Sequence, residues 1–149
     1  MAAEYFAQEQ NVALNTPIVF NASIPCNKGY VFHEDGTGVF TLTGKTYGCS
    51  VRYKVSFTGN IAIPEGGTVT PIALAISSDG ETRPYSTSIF TPAAVDEFGN
   101  VKSEAIITVP RGCCKSMAVR YVDATANDPA TAPTNTITVS GNLTIDGAN

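Results

Sequence analysis

Two segments of the chain alternate between apolar and polar side chains, and this period of two is the feature that most constrains the fold. Tyr47 to Phe57 carries an apolar residue at every second position, and Ile137 to Ile145 repeats the pattern with one gap, at Gly141. Successive side chains of a β-strand point to opposite faces of its sheet, so each segment predicts a strand with one face in a core. A strict period of two does not match the 3.6-residue period of an amphipathic helix.

The remainder of the chain predicts further short strands. Turn-forming residues interrupt the apolar runs about every 8–12 residues, which is the spacing of a β sandwich or barrel. Thirteen glycines and nine prolines are spread along the chain and support this interpretation. Turns are expected at residues 34–38, 64–67 and 97–100. The nine or ten predicted strands cover residues 12–14 continuing into 18–21, then 29–33, 39–43, 47–58, 68–77, 85–91, 104–109, 116–123 and 136–145.

The length of 149 residues suits one domain, and the sequence contains no internal repeat. Residues 1–10 follow neither the helical nor the strand period, so they predict an N-terminal arm ahead of a domain at residues 11–149. The stretch from Asp123 to Asn135 is rich in Ala, Thr, Asn and Pro and predicts a long exposed loop.

Net charge and hydropathy limit the classes of partner that the chain is expected to bind. Charged residues make up 15% of the chain and the net charge is −4, so no basic stripe is available to bind nucleic acid. No run reaches the ~18 apolar residues of a membrane helix, and the first ten residues do not resemble a secretory signal. We therefore expect neither a nucleic-acid nor a membrane partner, and synthesis in a host cytoplasm with release by lysis or assembly.

Side chains that commonly carry catalysis are scarce. The one histidine, His33, precedes Glu34 and Asp35, where a polar hairpin tip is expected and a cation or acid–base site is the alternative. The sequence shows no serine nucleophile motif and no phosphate-binding glycine loop. We therefore predict that the chain is not an enzyme and has no catalytic, metal-binding or cofactor-binding residues.

The four cysteines are too few for a disulfide-rich scaffold, so free thiols are expected. Cys49 shares the apolar face of its predicted strand with Val51, which indicates a small buried residue. Cys113 and Cys114 are adjacent in a predicted loop, and one of them could instead form a disulfide with Cys26 or Cys49.

Residues 36–60, GTGVFTLTGKTYGCSVRYKVSFTGN, resemble the jelly roll of the tumour-necrosis-factor and complement globular-head families, particularly their bacterial or bacteriophage members. An aromatic strand at residues 39–42 precedes a Gly-containing turn at residues 44–47 and a long alternating strand at residues 51–57. The resemblance implies an all-β, antiparallel jelly-roll sandwich that forms a homotrimer. Ala73 and Ala75 give one predicted strand a flat apolar second face, so they are the predicted trimer-interface residues.

These expectations together predict a structural virion protein of a bacteriophage, a capsid decoration or head-fibre trimer on the particle surface. Its arm, through Tyr5 and Phe6, would contact the major capsid protein or another shell protein. The alternative is a bacterial spore or cell-surface module. Either could bind a host surface glycan, for which Tyr85 and Tyr121 are the candidate stacking residues.

Overall fold

A computed structural model of the chain describes residues 2–24, 31–44, 49–123 and 136–148. In these residues the regular structure is eleven β-strands and one turn of 3-10 helix at Pro84–Ser86. The all-β expectation is therefore confirmed, with slightly more strands than the sequence predicted. The strands are β1 Ala2–Ala13, β2 Ala22–Ile24, β3 Val31–Phe32, β4 Phe40–Thr43, β5 Ser50–Ala62, β6 Ile72–Ser78, β7 Glu81–Thr82, β8 Ser88–Phe90, β9 Gly99–Pro110, β10 Cys114–Val122 and β11 Thr136–Ala148.

The strands form two antiparallel sheets packed as a sandwich. The first sheet has the order β2-β1-β11-β5-β9, and the second has the order β3-β4-β10-β6-β7 with β8 paired to β6. Neighbouring strands are mostly distant in sequence, as in the expected jelly roll. A helix with the length and hydropathy of a membrane span is absent from the part of the chain that the structure describes.

The core lies between the two sheets and follows the alternation of the sequence. In β5, Val51, Tyr53, Val55 and Phe57 are all at most 2% exposed, whereas the polar residues between them face outward. Burying each large apolar side chain contributes about 1.5–3 kcal/mol, so these strands supply much of the driving force for folding.

The Phe57 ring lies over a pair of glycines. Gly59 and Gly141 are directly opposite each other on β5 and β11. A methyl group added at either glycine would approach within 2.8 Å of the Phe57 ring. The ring therefore occupies the space that two side chains would otherwise fill.

The prediction of an arm at residues 1–10 is wrong. Residues 2–10 belong to β1, which lies between β2 and β11 inside the first sheet. Tyr5 is 2% exposed and its ring meets the edge of Phe40 at 4.7 Å, so it belongs to the core and cannot reach a capsid protein. A register shift between Ala7 and Gln10 interrupts the alternation of β1, which is why the sequence pattern concealed the strand.

One hairpin that the sequence analysis did not predict is formed by a two-residue turn. Ser78 pairs with Glu81, so Asp79 and Gly80 form a two-residue loop between β6 and β7. Both have positive φ, 52° and 84°, as a type I′ turn requires. The predicted turn at residues 34–38 is present, with Gly36 at φ 90°. The predicted loop after Asp123 lies almost wholly outside the described residues.

Candidate self-association surface

One side of the sandwich is closed by the segment from Pro84 to Phe90, which runs beside β9, the edge strand of the first sheet. The Tyr85 hydroxyl donates to the carbonyl of Ile106 at 3.2 Å and accepts from its N–H at 3.3 Å. At the other end, the Phe90 ring lies against Gly99, where an added methyl group would come within 2.4 Å of the ring. The segment is therefore fixed to β9 at both ends.

The 3-10 turn is also attached to the second sheet. The Ser86 hydroxyl accepts from the N–H of Ile76 at 2.9 Å and donates to the carbonyl of Arg83 at 2.6 Å. Because these bonds hold the backbone on both sides of Tyr85, the position of its ring is defined even though the side chain is 66% exposed.

Exposed apolar side chains concentrate on this side. Tyr85, Ile89, Phe98 and Ile106 are 66%, 58%, 49% and 47% exposed. They are four of the eight large hydrophobic residues that are exposed in the described part of the chain. We name these four residues the β9 edge. A concentration of exposed apolar side chains on a fixed surface is typical of a protein contact site.

A shallow cavity of about 300 Å³ lies beside Tyr85 and is lined by Lys54, Tyr85, Glu104, Ala105 and Ile106. Lys102 forms an ion pair with Glu104 at 3.1 Å, and that hydrogen bond and charge lower the pKa of the Glu104 carboxyl. Glu104 therefore stays anionic at neutral pH. Both partners are exposed, so water and salt screen the pair and it adds little stability.

Away from β9, the outward face of the first sheet is more polar. Asn142, Thr144, Ser56 and Thr58 point outward on β11 and β5, opposite in direction to the core residues beside them. Phe6 lies across from Asn142 on the same face and is 37% exposed. We name Phe6 and these four polar residues the Phe6 face, which is polar apart from its one aromatic ring.

The predicted site residues fall into three groups. Phe6 and Tyr85 are exposed and available for contact. Tyr121 is 1% exposed, so its prediction as an exposed glycan platform is wrong. Ala73 and Ala75 expose no surface in the single chain, so the interface prediction is corrected: these two side chains cannot contact a neighbouring subunit.

His33 lies inside the protein, although the turn after it is polar as predicted. Its side chain is 1% exposed and stacks on Phe40 with ring centroids 4.2 Å apart. Its Nε2 donates to the carbonyl of Thr37 at 2.8 Å, the only role a carbonyl partner allows. Among residues 2–24, 31–44, 49–123 and 136–148, no three His, Cys, Asp or Glu side chains gather closely enough to hold a metal ion.

Ile106 and Phe98 were not identified by the sequence analysis. The signal for Ile106 was available, because an isoleucine interrupts the polar positions Lys102, Glu104 and Thr108 on the outward face of β9. No comparable signal marks Phe98, since its exposure depends on how the chain turns before Gly99.

Comparison with solved structures identifies the fold. The globular domain of the zebrafish complement 1qA protein matches 95% of this chain and 94% of its own, with a TM-score of 0.59 and 12% sequence identity. The chain has a C1q and tumour-necrosis-factor-like jelly-roll fold. The Eiger tumour necrosis factor from S. frugiperda matches 100% of this chain and 92% of its own, with a TM-score of 0.62 and 10% identity.

These low identities establish the fold and nothing finer. No protein-family profile matches the sequence, and no curated protein sequence matches it.

Proposed function

We propose that the chain is a non-enzymatic homotrimeric module, assembled by packing the β9 edge of one copy against the Phe6 face of the next. The observation that carries the proposal is the apolar β9 edge itself. Phe6 lies on β1, toward the opposite side of the same sheet. Contact between two different patches repeats head to tail, and such contacts close into a ring when the rotation allows it. Three is the copy number that the resemblance to the C1q and tumour-necrosis-factor folds implies.

Charge supports this arrangement. The edge presents aromatic and aliphatic side chains, whereas the Phe6 face presents Ser, Thr and Asn, with the charged Glu4, Lys54 and Asp146 at its border. Desolvating small neutral polar groups costs less than desolvating charged ones, so such a face can accept an apolar edge. The screened Lys102–Glu104 pair would lie at the rim of the contact.

Light scattering on two matched variants tests the trimer. Ile106→Glu places a charge on the β9 edge, whereas Val39→Glu changes a similarly exposed residue, 49% against 47%, directly before β4 of the second sheet. We expect the wild type and Val39→Glu to have three times the 15.6 kDa chain mass and Ile106→Glu to have one. Circular dichroism checks that each variant is folded. A monomeric wild type, or an Ile106→Glu variant that stays trimeric, would reject the proposed interface.

The setting that we propose for the trimer is the surface of a bacteriophage virion, as a capsid decoration or head fibre. The resemblance of residues 36–60 to bacterial and bacteriophage members and the low charge support this setting. Because residues 2–10 are part of the sheet, we place the attachment to a shell protein on a surface of the folded domain. Negative-stain imaging of purified particles with an antibody to this chain tests the setting: label on capsids supports it, and label confined to spores or cell walls favours the alternative.

Glycan binding is a second candidate, supported by the exposed Tyr85 ring beside Lys54 and Glu104. An aromatic face with a nearby carboxylate and ammonium could stack and hydrogen-bond a sugar. Because the trimer contact would cover the same cavity, a glycan array on wild type and Ile89→Glu, which changes the β9 edge without changing the cavity lining, separates the two. Binding only by the monomeric variant would show competition, and binding by neither would remove this candidate.

A further inference from the structure

Three cysteine thiols in the described part of the chain are exposed. Cys49, Cys113 and Cys114 are free and solvent-accessible. Free cysteine is usually among the most buried residue types, so three exposed thiols are unusual. The prediction that Cys49 is buried is therefore wrong: it lies one residue before β5, beyond the covered part of the sheet.

Cys49 and Cys113 each extend a strand pair by one residue. The carbonyl of Cys49 accepts from the N–H of Arg111 at 2.9 Å, one step beyond the last pair of β5 with β9. The carbonyl of Cys113 accepts from the N–H of Gly44 at 2.9 Å, one step beyond the last pair of β4 with β10. The backbone of each cysteine is therefore held in a strand-like position, Cys49 in the first sheet and Cys113 in the second.

The alternation of the strands gives the directions of the thiols. Cys49 lies two residues before Val51, which faces the core from the first sheet and is 1% exposed. Cys113 lies four residues before Met117, which faces the core from the second sheet and is also 1% exposed. Residues an even number apart on a strand share a face, so both cysteines face the space between the sheets. Cys114 is one residue out of this period and faces the other way.

A tight turn connects the two sheets at this point. The N–H of Cys113 donates to the carbonyl of Pro110 at 3.1 Å and Gly112 has φ 74°, so residues 110–113 form a β-turn between β9 and β10. The first and last Cα atoms of such a turn are at most about 7 Å apart. Pro110 pairs with the residue that follows Cys49, so the turn places Cys113 beside the end of the strand pair to which Cys49 belongs. The space around Gly112 is open, which leaves the turn room to adjust as two sulfur atoms approach.

We propose that Cys49 and Cys113 form a disulfide within one chain, which oxidation closes and reduction opens. The bond ties the start of β5 in the first sheet to the turn that leads into β10 of the second. It lies inside a single subunit and does not depend on the subunit contact proposed above. A reducing cytoplasm keeps the two thiols free, and an oxidising environment closes the bond. Closing the loop of residues 49–113 removes conformational freedom from the unfolded chain, so the oxidised domain is the more stable form.

The reaction requires a disulfide oxidant, and oxidised glutathione can supply it. The thiolate of one cysteine attacks a sulfur of oxidised glutathione, forms a mixed disulfide and releases one glutathione thiolate. The thiolate of the other cysteine attacks the protein sulfur of this mixed disulfide, forms the bond between Cys49 and Cys113 and releases a second glutathione thiolate. The two protons lost by the protein thiols are gained by the two glutathione thiolates.

Peptide mapping of the full chain after treatment with oxidised glutathione tests the proposal. The remaining free thiols are blocked by alkylation, and the protein is digested with trypsin in the absence of a reducing agent. Cleavage after Lys and Arg places Cys49 on residues 46–52, Cys113 with Cys114 on residues 112–115, and Cys26 on residues 1–28. We expect a cross-linked peptide that joins residues 46–52 to residues 112–115 and that a reducing agent separates. On a non-reducing denaturing gel the oxidised protein should run as a single chain.

Serine variants identify the two sulfur atoms of the bond. Cys49→Ser and Cys113→Ser should each lose the cross-linked peptide. Cys114→Ser, next to the proposed site, and Cys26→Ser, outside the described residues, are the controls and should keep it. The oxidised wild type should melt about 5–15 °C above the reduced protein at the same protomer concentration, and Cys113→Ser should show no such rise.

Other outcomes overturn the proposal. A cross-linked peptide that persists in Cys113→Ser, or that is lost in Cys114→Ser or Cys26→Ser, would assign the bond to a different pair of cysteines. Glutathione adducts without a cross-linked peptide, or covalent bands larger than one chain on the non-reducing gel, would reject a bond within one chain. Equal melting temperatures of the cross-linked and the reduced wild type would reject stabilisation by loop closure.

Discussion

Replacing Phe57 by alanine should remove a large part of the stability of the domain. The side chain exposes no surface, packs edge-on against Phe20 at 6.2 Å, and covers Gly59 and Gly141. Phe→Ala substitutions in cores cost about 3–5 kcal/mol, and the cost rises with the cavity that remains. Two of the neighbours are glycines, which have no side chains to move into the space. We therefore expect a loss of about 4–5 kcal/mol, a large share of the ~5–15 kcal/mol typical of a domain.

The assay is urea unfolding followed by circular dichroism at a fixed protomer concentration, because the stability of an oligomer depends on that concentration. Phe57→Leu keeps part of the ring volume and provides an intermediate point if the alanine variant does not fold. The control is Val39→Thr, which changes a side chain that is 49% exposed and lies outside the proposed subunit contact, and which should move stability by no more than about 0.5 kcal/mol. A loss below about 1 kcal/mol in Phe57→Ala would refute the role of the ring over the two glycines.

Three further predictions concern β9, β1 and β10. Gly99→Ala should lower the free energy of unfolding by about 1–3 kcal/mol in a thermal melt, because the added methyl group overlaps the Phe90 ring. The cost should fall in a Phe90→Ala background, and additive effects of the two substitutions would contradict the overlap. Deleting residues 1–12 removes most of β1, which pairs with a strand on each side, so the product should lack a cooperative unfolding transition. A product that unfolds cooperatively would contradict the placement of β1. Burial first, and then the charge of Asp123, raises the pKa of Tyr121 to about 12. The stability that this raised pKa contributes to the fold should be present below the ordinary tyrosine pKa of about 10 and be lost as pH rises through about 12. Ultraviolet titration of wild type and Tyr121→Phe can measure the pKa of Tyr121.

The sequence predicted the strands that have an uninterrupted local pattern. β5 and β11 alternate over most of their length, and their buried residues could be read directly from that period. The jelly-roll arrangement came from the resemblance of residues 36–60, because alternation defines faces but does not say which strands are neighbours. β1 was missed because its register shift places one extra residue in the pattern.

The contact surface could not be predicted in the same way. The β9 edge exists because a segment some twenty residues upstream folds back along β9, which no local pattern encodes. Ala73 and Ala75 were assigned to the interface because small apolar residues suggest a surface that another layer covers. In the folded chain, other parts of the same subunit already cover both alanine side chains completely.

The pairing of β1 with β11 has a consequence for synthesis. β11 lies between β1 and β5, so the centre of the first sheet stays empty until residues 136–148 have been made. While translation continues, the core faces of β1 and β5 have no strand between them. Contacts between distant parts of a chain form slowly because the intervening loop must be closed first. We therefore expect folding to begin only after β11 has left the ribosome, with a nascent chain that depends on chaperones until then.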